Sequence, residues 1–153
     1  FGRAIIMPNT YVCLPGFDTD NDSLAQEKIR QGLADLASAE RQLSEEQTGF
    51  SMMHPGSHAW FKTYVLGRLF HRLLITDRLF HVTGKCTGCG RCAKTCPLHN
   101  ISMEKARPRW HHNCTGCLSC YHHCPAHALR MGLFTKGKGR YCLEKFKNLT
   151  TQP

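Results

Sequence analysis

Eight cysteines crowd into a 39-residue stretch of this chain and repeat a single spacing twice. The first run reads Cys-x2-Cys-x2-Cys-x3-Cys-Pro from Cys86 to Pro97, and the second run reads the same from Cys114 to Pro125. A shift of 28 residues superposes all the cysteines and both prolines. An internal repeat at one fixed period predicts two equivalent half-units around a pseudo-twofold axis. What these thiols bind therefore constrains the fold more than any other feature.

The spacing of the thiols narrows the choice of ligand. Soft thiolates select iron-sulfur, zinc or copper(I), so ligand type alone leaves the metal open. Structural zinc usually takes two Cys-x2-Cys pairs that are separated by a longer stretch, which leaves no role for a third closely spaced cysteine. Three cysteines at intervals of three can instead wrap three corners of a cubane cluster. The spacing predicts iron-sulfur clusters, with zinc and disulfides left as alternatives.

The fourth cysteine of each run decides how the clusters are shared. In runs of this form the fourth cysteine ligates the other cluster. We therefore expect two 4Fe-4S clusters, each with four thiolate ligands, and a crossed ligation that ties the halves together. The predicted ligands are Cys86, Cys89, Cys92 and Cys124 for cluster 1, and Cys114, Cys117, Cys120 and Cys96 for cluster 2.

Small and apolar residues around the runs fit the same interpretation. Glycines between the cysteines permit unusual backbone angles and bring amide donors close to cluster sulfurs. A proline after each run fixes the next turn and presents no amide donor. Ile101, Leu129 and Trp110 are the predicted apolar wall. The glycines are Gly88, Gly90 and Gly116, and the prolines are Pro97 and Pro125.

Net charge points to redox partners rather than to nucleic acid. The formal charge is +9, but eight thiolates and two oxidised clusters would reduce it to about +5. Much of the basic excess can balance the clusters, and the remainder can steer an acidic partner. A basic nucleic-acid-binding metalloprotein is the rival class, but the aromatic residues are scattered rather than interleaved on a basic face. No nucleic-acid partner is expected.

The residues before the cysteine runs predict a strand and a helix. Residues Ala4 to Met7 read as a short buried strand. A long amphipathic helix is expected from Ser23 to Thr48, ended by Gly49, with Ser23 and Gln26 as a capping box. Its apolar stripe consists of Ile29, Leu33, Leu36 and Leu43 and is expected to face a core.

A linker and a second helix are predicted after the first helix. Met52 to Ala59 contains Pro-Gly, and a basic, aromatic-rich helix is expected from about Trp60. Its apolar stripe is predicted to pack on its own protein, with a membrane surface as the alternative. The sequence has no uncharged run of 18 apolar residues and no signal-peptide pattern, so we expect no transmembrane segment and a cytoplasmic location.

Other candidate groups lie outside the spacing pattern. Cys13 and Cys142 are predicted to be small buried hydrophobes rather than redox groups. The histidine pairs are predicted to be surface residues, although a histidine next to Cys124 could tune a cluster. The pairs are His111 with His112 and His122 with His123.

Residues Lys85 to Leu129 resemble the bacterial-type ferredoxins with two 4Fe-4S clusters, and all eight expected ligand cysteines are present. The wider chain resembles the later part of flavodoxin-ferredoxin fusion proteins, the ferrodoxin-like family. That resemblance is carried by Met7 to Tyr11, the helices before Cys86 and Thr135 to Tyr141. The hydroxyl-rich phosphate loop of a flavodoxin does not occur here, so FMN is not expected on this chain alone. Cys142-Leu143-Glu144 departs from the histidine-rich ending of that family.

The resemblance implies an α+β fold, with a ferredoxin-like domain preceded by the helical remnant of a flavodoxin-like α/β domain. Residues 1–50 are expected to be the partial flavodoxin-like segment, with its last strand and helix. Residues 51–82 are the expected linker and amphipathic helix, 83–131 the ferredoxin domain, and 132–153 a basic tail that is expected to be solvated or to wrap around the protein.

The predicted function is one-electron transfer through two 4Fe-4S clusters, with acidic or flavin-containing redox proteins as partners. No substrate bond is broken in this scheme, so an electron carrier is favoured over an enzyme. The alternative is the cluster-bearing part of an FMN-dependent oxidoreductase whose flavin site lies upstream or in another subunit.

Overall fold

A computed structural model describes residues 4–45 and 57–150 of this small mixed α/β protein. They divide into two compact units. The first comprises residues 4–9, 20–45, 57–59 and 143–150, and the second comprises residues 10–19 and 60–142. Segments 10–19 and 132–142 thus share the unit of the cysteine runs, although the predicted boundaries separated them from it.

The first unit is organised by helix α1, Asp22–Ser44. The predicted capping box at Ser23 is wrong, because Asn21 is the N-cap and its side chain accepts a hydrogen bond from the Leu24 amide at 2.9 Å. Lys28 pairs with Asp20 at 2.7 Å. The hydrogen bond from Lys28 is the main cause that lowers the pKa of Asp20. The predicted helix end at Gly49 lies outside the described residues.

Small side chains, rather than the leucines, form the buried face of α1. Ala25, Ile29, Gly32 and Ala39 are buried there, whereas the predicted core residues Leu33, Leu36 and Leu43 are 39%, 54% and 58% exposed. A Cβ on Gly32 would lie 3.0 Å from Met7 Sδ, so the small stripe lets the N-terminal segment approach the helix.

The predicted strand at Ala4 to Met7 is also wrong. These residues have no regular secondary structure and are exposed, and none of the described strands pairs with them. A 3-10 turn, Leu143–Phe146, and helix α6, Lys147–Thr150, complete the described part of this unit, and α6 packs against α1.

A second helical run begins at Ala59, which confirms the helix predicted from about Trp60. It consists of α2 (Ala59–Phe61), a π-helical turn (Lys62–Leu66) and α3 (Gly67–Leu74). The apolar stripe of this run packs only in part, since its residues Leu66, Leu69 and Leu73 are 52%, 53% and 60% exposed. Phe70 does pack, with its ring 5.7 Å from that of Tyr11. No helix in the described ranges combines the length and apolar character needed to cross a bilayer.

Two antiparallel strand pairs frame the cysteine runs in the second unit. Strand β1 (Phe80–Val82) pairs with β4 (Leu129–Met131), and β2 (Ile101–Glu104) pairs with β3 (Arg107–Trp110). The β2–β3 hairpin turns at Lys105 and Ala106, both with positive φ, as a two-residue turn of primed type requires. Short helices α4 (Arg91–Lys94) and α5 (Ser119–His122) lie within the two cysteine runs.

One apolar cluster holds these strands and short helices together. Residues Tyr121, Leu129 and Met131 are at most 2% exposed. The segment 10–19 contributes Val12 and Cys13 to the same cluster. The core therefore lies beside the cysteine loops and fixes their positions.

Candidate metal centres

The cysteines of the second unit line two cavities of similar size, each with about 340 Å³ of empty space, part of which is open to solvent. We call them site 1 and site 2. Each cavity combines three cysteines of one run with the last cysteine of the other, in the sets that the sequence predicted as ligands. Site 1 is lined by Cys86, Cys89, Cys92 and Cys124, and site 2 is lined by Cys114, Cys117, Cys120 and Cys96.

Local backbone geometry repeats between the runs at the shift of 28 residues. The φ values are +71° at Gly88 and +69° at Gly116. Both short helices begin after a residue in the left-handed region, Gly90 for α4 and Leu118 for α5. The strand register repeats as well, since Val82 opposite Leu129 corresponds to Trp110 opposite Ile101.

Backbone amides donate to three of the sulfurs, and one of these amides belongs to a predicted glycine, Gly116. The Asn100 amide donates to Cys96 Sγ and the Ala128 amide donates to Cys124 Sγ, both at 3.3 Å. In the second run the Gly116 amide donates to Cys114 Sγ at 3.3 Å. Such donors favour the thiolate over the thiol, and the thiolate is the form that binds metal.

The thiols repel one another when ionised. Burial, with smaller contributions from the neighbouring Cys114 and Cys117, raises the pKa of Cys120 to about 12. Burial also raises the pKa of Cys92, with a smaller contribution from Cys124. The exposed Cys89 is the exception, since the Arg91 amide lowers its pKa. Four thiolates can share such a cavity only with a cation among them.

Orphaned donors and free thiols fit an anionic, sulfur-rich group at these sites. Trp110 Nε1 and Arg140 Nη1 are buried without a hydrogen-bond partner among the described residues. Trp110 lines site 2, where it stacks on Phe80 at 5.8 Å. All ten cysteines lie in the described ranges and are free thiols, so the structure does not support a disulfide framework.

The apolar walls are where the sequence predicted them. Ile101 and Trp110 line site 2, and Leu129 lines site 1. Pro97 lines site 2 and Pro125 lines site 1. Water is therefore excluded from the inner side of each cavity, while Cys89 and Cys117 are exposed at the outer side.

Two charged residues beside the sites were not anticipated. Arg140 belongs to the tail that was expected to be solvated or wrapping, and it stacks 3.9 Å above the Tyr121 ring and donates to the carbonyl oxygen of Leu129, which lines site 1. Asp77 is 4% exposed and contributes to the raised pKa of Cys114, after the larger effect of burial. Neither belongs to a spacing pattern, so only the folded chain reveals them.

The expectation of surface histidines is wrong for His122, which is 7% exposed. Its Nε2 lies 2.7 Å from the Thr10 carbonyl oxygen, and its Nδ1 accepts from the Tyr141 amide at 3.1 Å. These contacts define a neutral ring, and burial lowers its pKa. His111 and His112 are exposed, as predicted.

The two cysteines outside the runs differ in burial. Cys13 is 2% exposed, as predicted, and its Sγ lies 3.1 Å from Met131 Sδ. Cys142 is only partly buried and donates to the His122 carbonyl oxygen at 3.3 Å. Neither lines site 1 or site 2.

Comparison with known families decides the type of domain. A family model described as "4Fe-4S dicluster domain" matches residues 85–129. Residues 85–129 form a 4Fe-4S ferredoxin-type domain. Neither the curated proteins nor the solved structures contain a match to this chain.

The ferredoxin-type domain is a metal-binding domain of the iron-sulfur class, and its match includes both cysteine runs. It covers less than a third of the chain, so the match assigns the domain and not the remaining residues. Domains of this type serve electron transfer and imply redox partners.

Proposed function

We propose that the ferredoxin-type domain holds two 4Fe-4S clusters and relays single electrons between redox partners. The observation that carries the proposal is the pair of similar cavities, each lined by four free cysteines. The proposed ligands are Cys86, Cys89, Cys92 and Cys124 at site 1, and Cys114, Cys117, Cys120 and Cys96 at site 2. The repeat of backbone angles and strand register supports two half-units related by a pseudo-twofold axis.

The arrangement of buried and exposed cysteines supports a path for the electron. A bound cluster supplies the chemistry, because it accepts one electron from a donor and releases one to an acceptor. Cys89 of site 1 and Cys117 of site 2 are exposed, so each site presents one edge to a partner. Cys92 and Cys120 are close enough for their charges to interact, which brings the two sites together inside the domain.

The chain's own residues keep the sites fixed and dry during transfer. Amides of Asn100, Ala128 and Gly116 hold the sulfurs of three cysteines. The walls of Leu129, Ile101 and Trp110 exclude water from the inner side. Fixed donors and low water content reduce the reorganisation that accompanies a change in charge.

The number and kind of clusters can be measured directly. Protein that is purified without oxygen should contain about eight iron and eight sulfide per chain. Electron paramagnetic resonance after reduction should show two interacting one-electron centres. Zinc without sulfide, or colourless protein that accepts no electrons, would overturn the proposal.

The wider resemblance bears on the partner. We infer that a flavin protein exchanges electrons with this domain, and that residues 1–50 derive from a flavodoxin-like domain. The support is the resemblance of Met7 to Tyr11 and of Thr135 to Tyr141 to flavodoxin-ferredoxin fusion proteins. Stopped-flow mixing of the reduced protein with an oxidised flavodoxin should then give flavin semiquinone in a salt-dependent reaction. Absence of transfer at any ionic strength would remove this partner class.

A further inference from the structure

The charged groups beside the two sites differ, although the cysteine frames match. At site 1 the neighbouring charges are cationic: Arg91 lines the site, and Arg140 donates to the carbonyl oxygen of Leu129, which also lines it. At site 2 the corresponding influence comes from a carboxylate, Asp77, which acts on Cys114. The repeat aligns Asp77 with Lys105, so the charge at this position is inverted between the halves.

Two contacts hold Arg140 beside site 1. Its guanidinium carbon lies 3.9 Å from the centroid of the Tyr121 ring, and its Nη2 donates to the Leu129 carbonyl oxygen at 2.8 Å. Leu129 itself lines site 1. The Tyr121 hydroxyl lies 3.1 Å from the Lys138 carbonyl oxygen, which fixes the segment that carries Arg140.

The partly buried guanidinium of Arg140 needs an anion, because its Nη1 is shielded from water. Arginine stays protonated in proteins, and a buried charge without a partner is costly. Within the described ranges no carboxylate forms an ion pair with Arg140, and its Nη1 is buried without an acceptor. A Cys124 thiolate and the negative charge of a bound cluster would supply the missing anion, because a thiolate accepts more hydrogen bonds than a thiol.

Asp77 has the opposite effect at site 2. Its carboxylate accepts hydrogen bonds from Asn100 Nδ2 at 2.9 Å and from the His112 amide at 2.7 Å. Burial alone would raise the pKa of Asp77, but these hydrogen bonds outweigh it and lower the pKa. Its Oδ1 also lies 2.9 Å from Nδ1 of the exposed His112. Asp77 and Cys114 line the same pocket, so a carboxylate lies close to that cysteine.

We infer that Arg140 is a positioning residue that makes site 1 the higher-potential cluster site, while Asp77 disfavours reduction at site 2. The inference rests on the proposed function, since it requires a cluster at each site. Reduction adds one negative charge to a site, so a neighbouring cation stabilises the reduced form and a neighbouring anion destabilises it. An electron that enters through either exposed edge should then reside at site 1.

The test is a redox titration of the holoprotein and of two charge-neutralising variants, Arg140→Gln and Asp77→Asn. Paramagnetic NMR signals of the cysteine β-protons assign each potential to its site. At a fixed solution potential, Arg140→Gln should lower the reduced-to-oxidised ratio of site 1 about tenfold, or about 59 mV for one electron. Asp77→Asn should raise the ratio of site 2 about threefold.

Two further variants separate charge from structure. Arg140→Lys keeps the positive charge and should recover most of the site 1 potential. Arg107→Gln removes an equal charge from an exposed side chain that donates to the Thr83 carbonyl oxygen at 3.0 Å, and should shift either ratio much less because water screens it.

The outcomes are distinct. The inference is overturned if Arg140→Gln keeps both clusters and leaves site 1 unchanged, or shifts both sites equally. If Arg140→Gln fails to assemble a cluster at site 1, the test passes to Arg140→Lys and Asp77→Asn. In Asp77→Asn, an unchanged reduced-to-oxidised ratio at site 2 overturns the inference, and a raised ratio supports it. Wild-type protein without iron and sulfide would instead reject the proposed function itself.

Discussion

Site 1 and site 2 have the same frame of cysteines but different surroundings. Gly88 and Gly116 have nearly equal φ values, and each cavity has about the same volume. Arg140 lies beside site 1, and Asp77 with the stacked pair of Phe80 and Trp110 lies beside site 2. The spacing of the cysteines produces two matching cavities, and residues outside the cysteine runs give the two cavities different surroundings.

Substitution of the fourth cysteine of either run should give the largest effect, the loss of one cluster. Cys96→Ala should remove the cluster of the second run, and Cys124→Ala should remove that of the first, because each cysteine lines the cavity of the other run. Each variant should retain about four iron per chain. Iron analysis with site-resolved NMR provides the measurement. Loss of the cluster nearest in sequence would contradict crossed ligation.

Truncation of the apolar walls should affect the two halves similarly. Leu129 and Ile101 occupy equivalent positions in the repeat and are 1% and 6% exposed. Leu129→Ala and Ile101→Ala should each cost about 2–5 kcal/mol, since each leaves a cavity in the same apolar cluster. The midpoint of thermal bleaching of the cluster absorbance, recorded without oxygen, measures the loss. A neutral result at either position would break the equivalence of the halves.

Glycine substitutions should separate the halves again. A left-handed backbone costs an alanine roughly 1–2 kcal/mol at either Gly88 or Gly116. At Gly88 the new Cβ would lie 2.9 Å from the backbone oxygen of Ala106, which cannot move freely. At Gly116 it would meet only Cδ1 of Ile75 at 2.8 Å, and that side chain can rotate.

Gly88→Ala should therefore be the more destabilising of the two glycine variants. Midpoints of thermal bleaching rank them, and Gly84→Ala is the control, because an added Cβ there meets nothing within 4 Å. An equal loss at Gly88 and Gly116 would show that backbone strain alone determines the cost.

The cysteine sets of site 1 and site 2 could be predicted from the sequence, because cysteine spacing reflects local loop geometry. Which cysteines meet, where the glycines need positive φ and where the walls lie all follow from a short repeat. Helix α1 shows where periodicity fails, since its leucines are exposed and Ala25, Gly32 and Ala39 are buried. A stripe of small residues has no strong hydrophobic signal, although it permits close approach.

The sequence could not predict which charged or polar side chains from distant segments lie beside the sites. Arg140 lies in a Gly-Lys-rich segment whose sequence leaves open whether it is solvated or wraps the protein, and its contact with Tyr121 reveals that it is packed. His122 is also misjudged from sequence, because its partners Thr10 and Tyr141 are distant along the chain. Such contacts depend on which segments the fold brings together, and no local pattern records them.

Cys13 gives the smallest expected effect and tests whether a thiol outside the sites influences site 2. Burial, with a smaller contribution from Cys114, raises the pKa of Cys13 to about 11 from the ordinary value of 9.0. The unfolded chain therefore ionises first, so the stability contribution of the neutral thiol is present below pH 9 and is lost between about pH 9 and 11. Cys13→Ala should keep both clusters and show a shallower fall in the bleaching midpoint over that range. Cys142→Ala is the control, because Cys142 is only partly buried, and it should keep the wild-type slope. Loss of iron in Cys13→Ala would instead indicate that Cys13 is a ligand, and the proposed ligand sets of the two sites would then be incomplete.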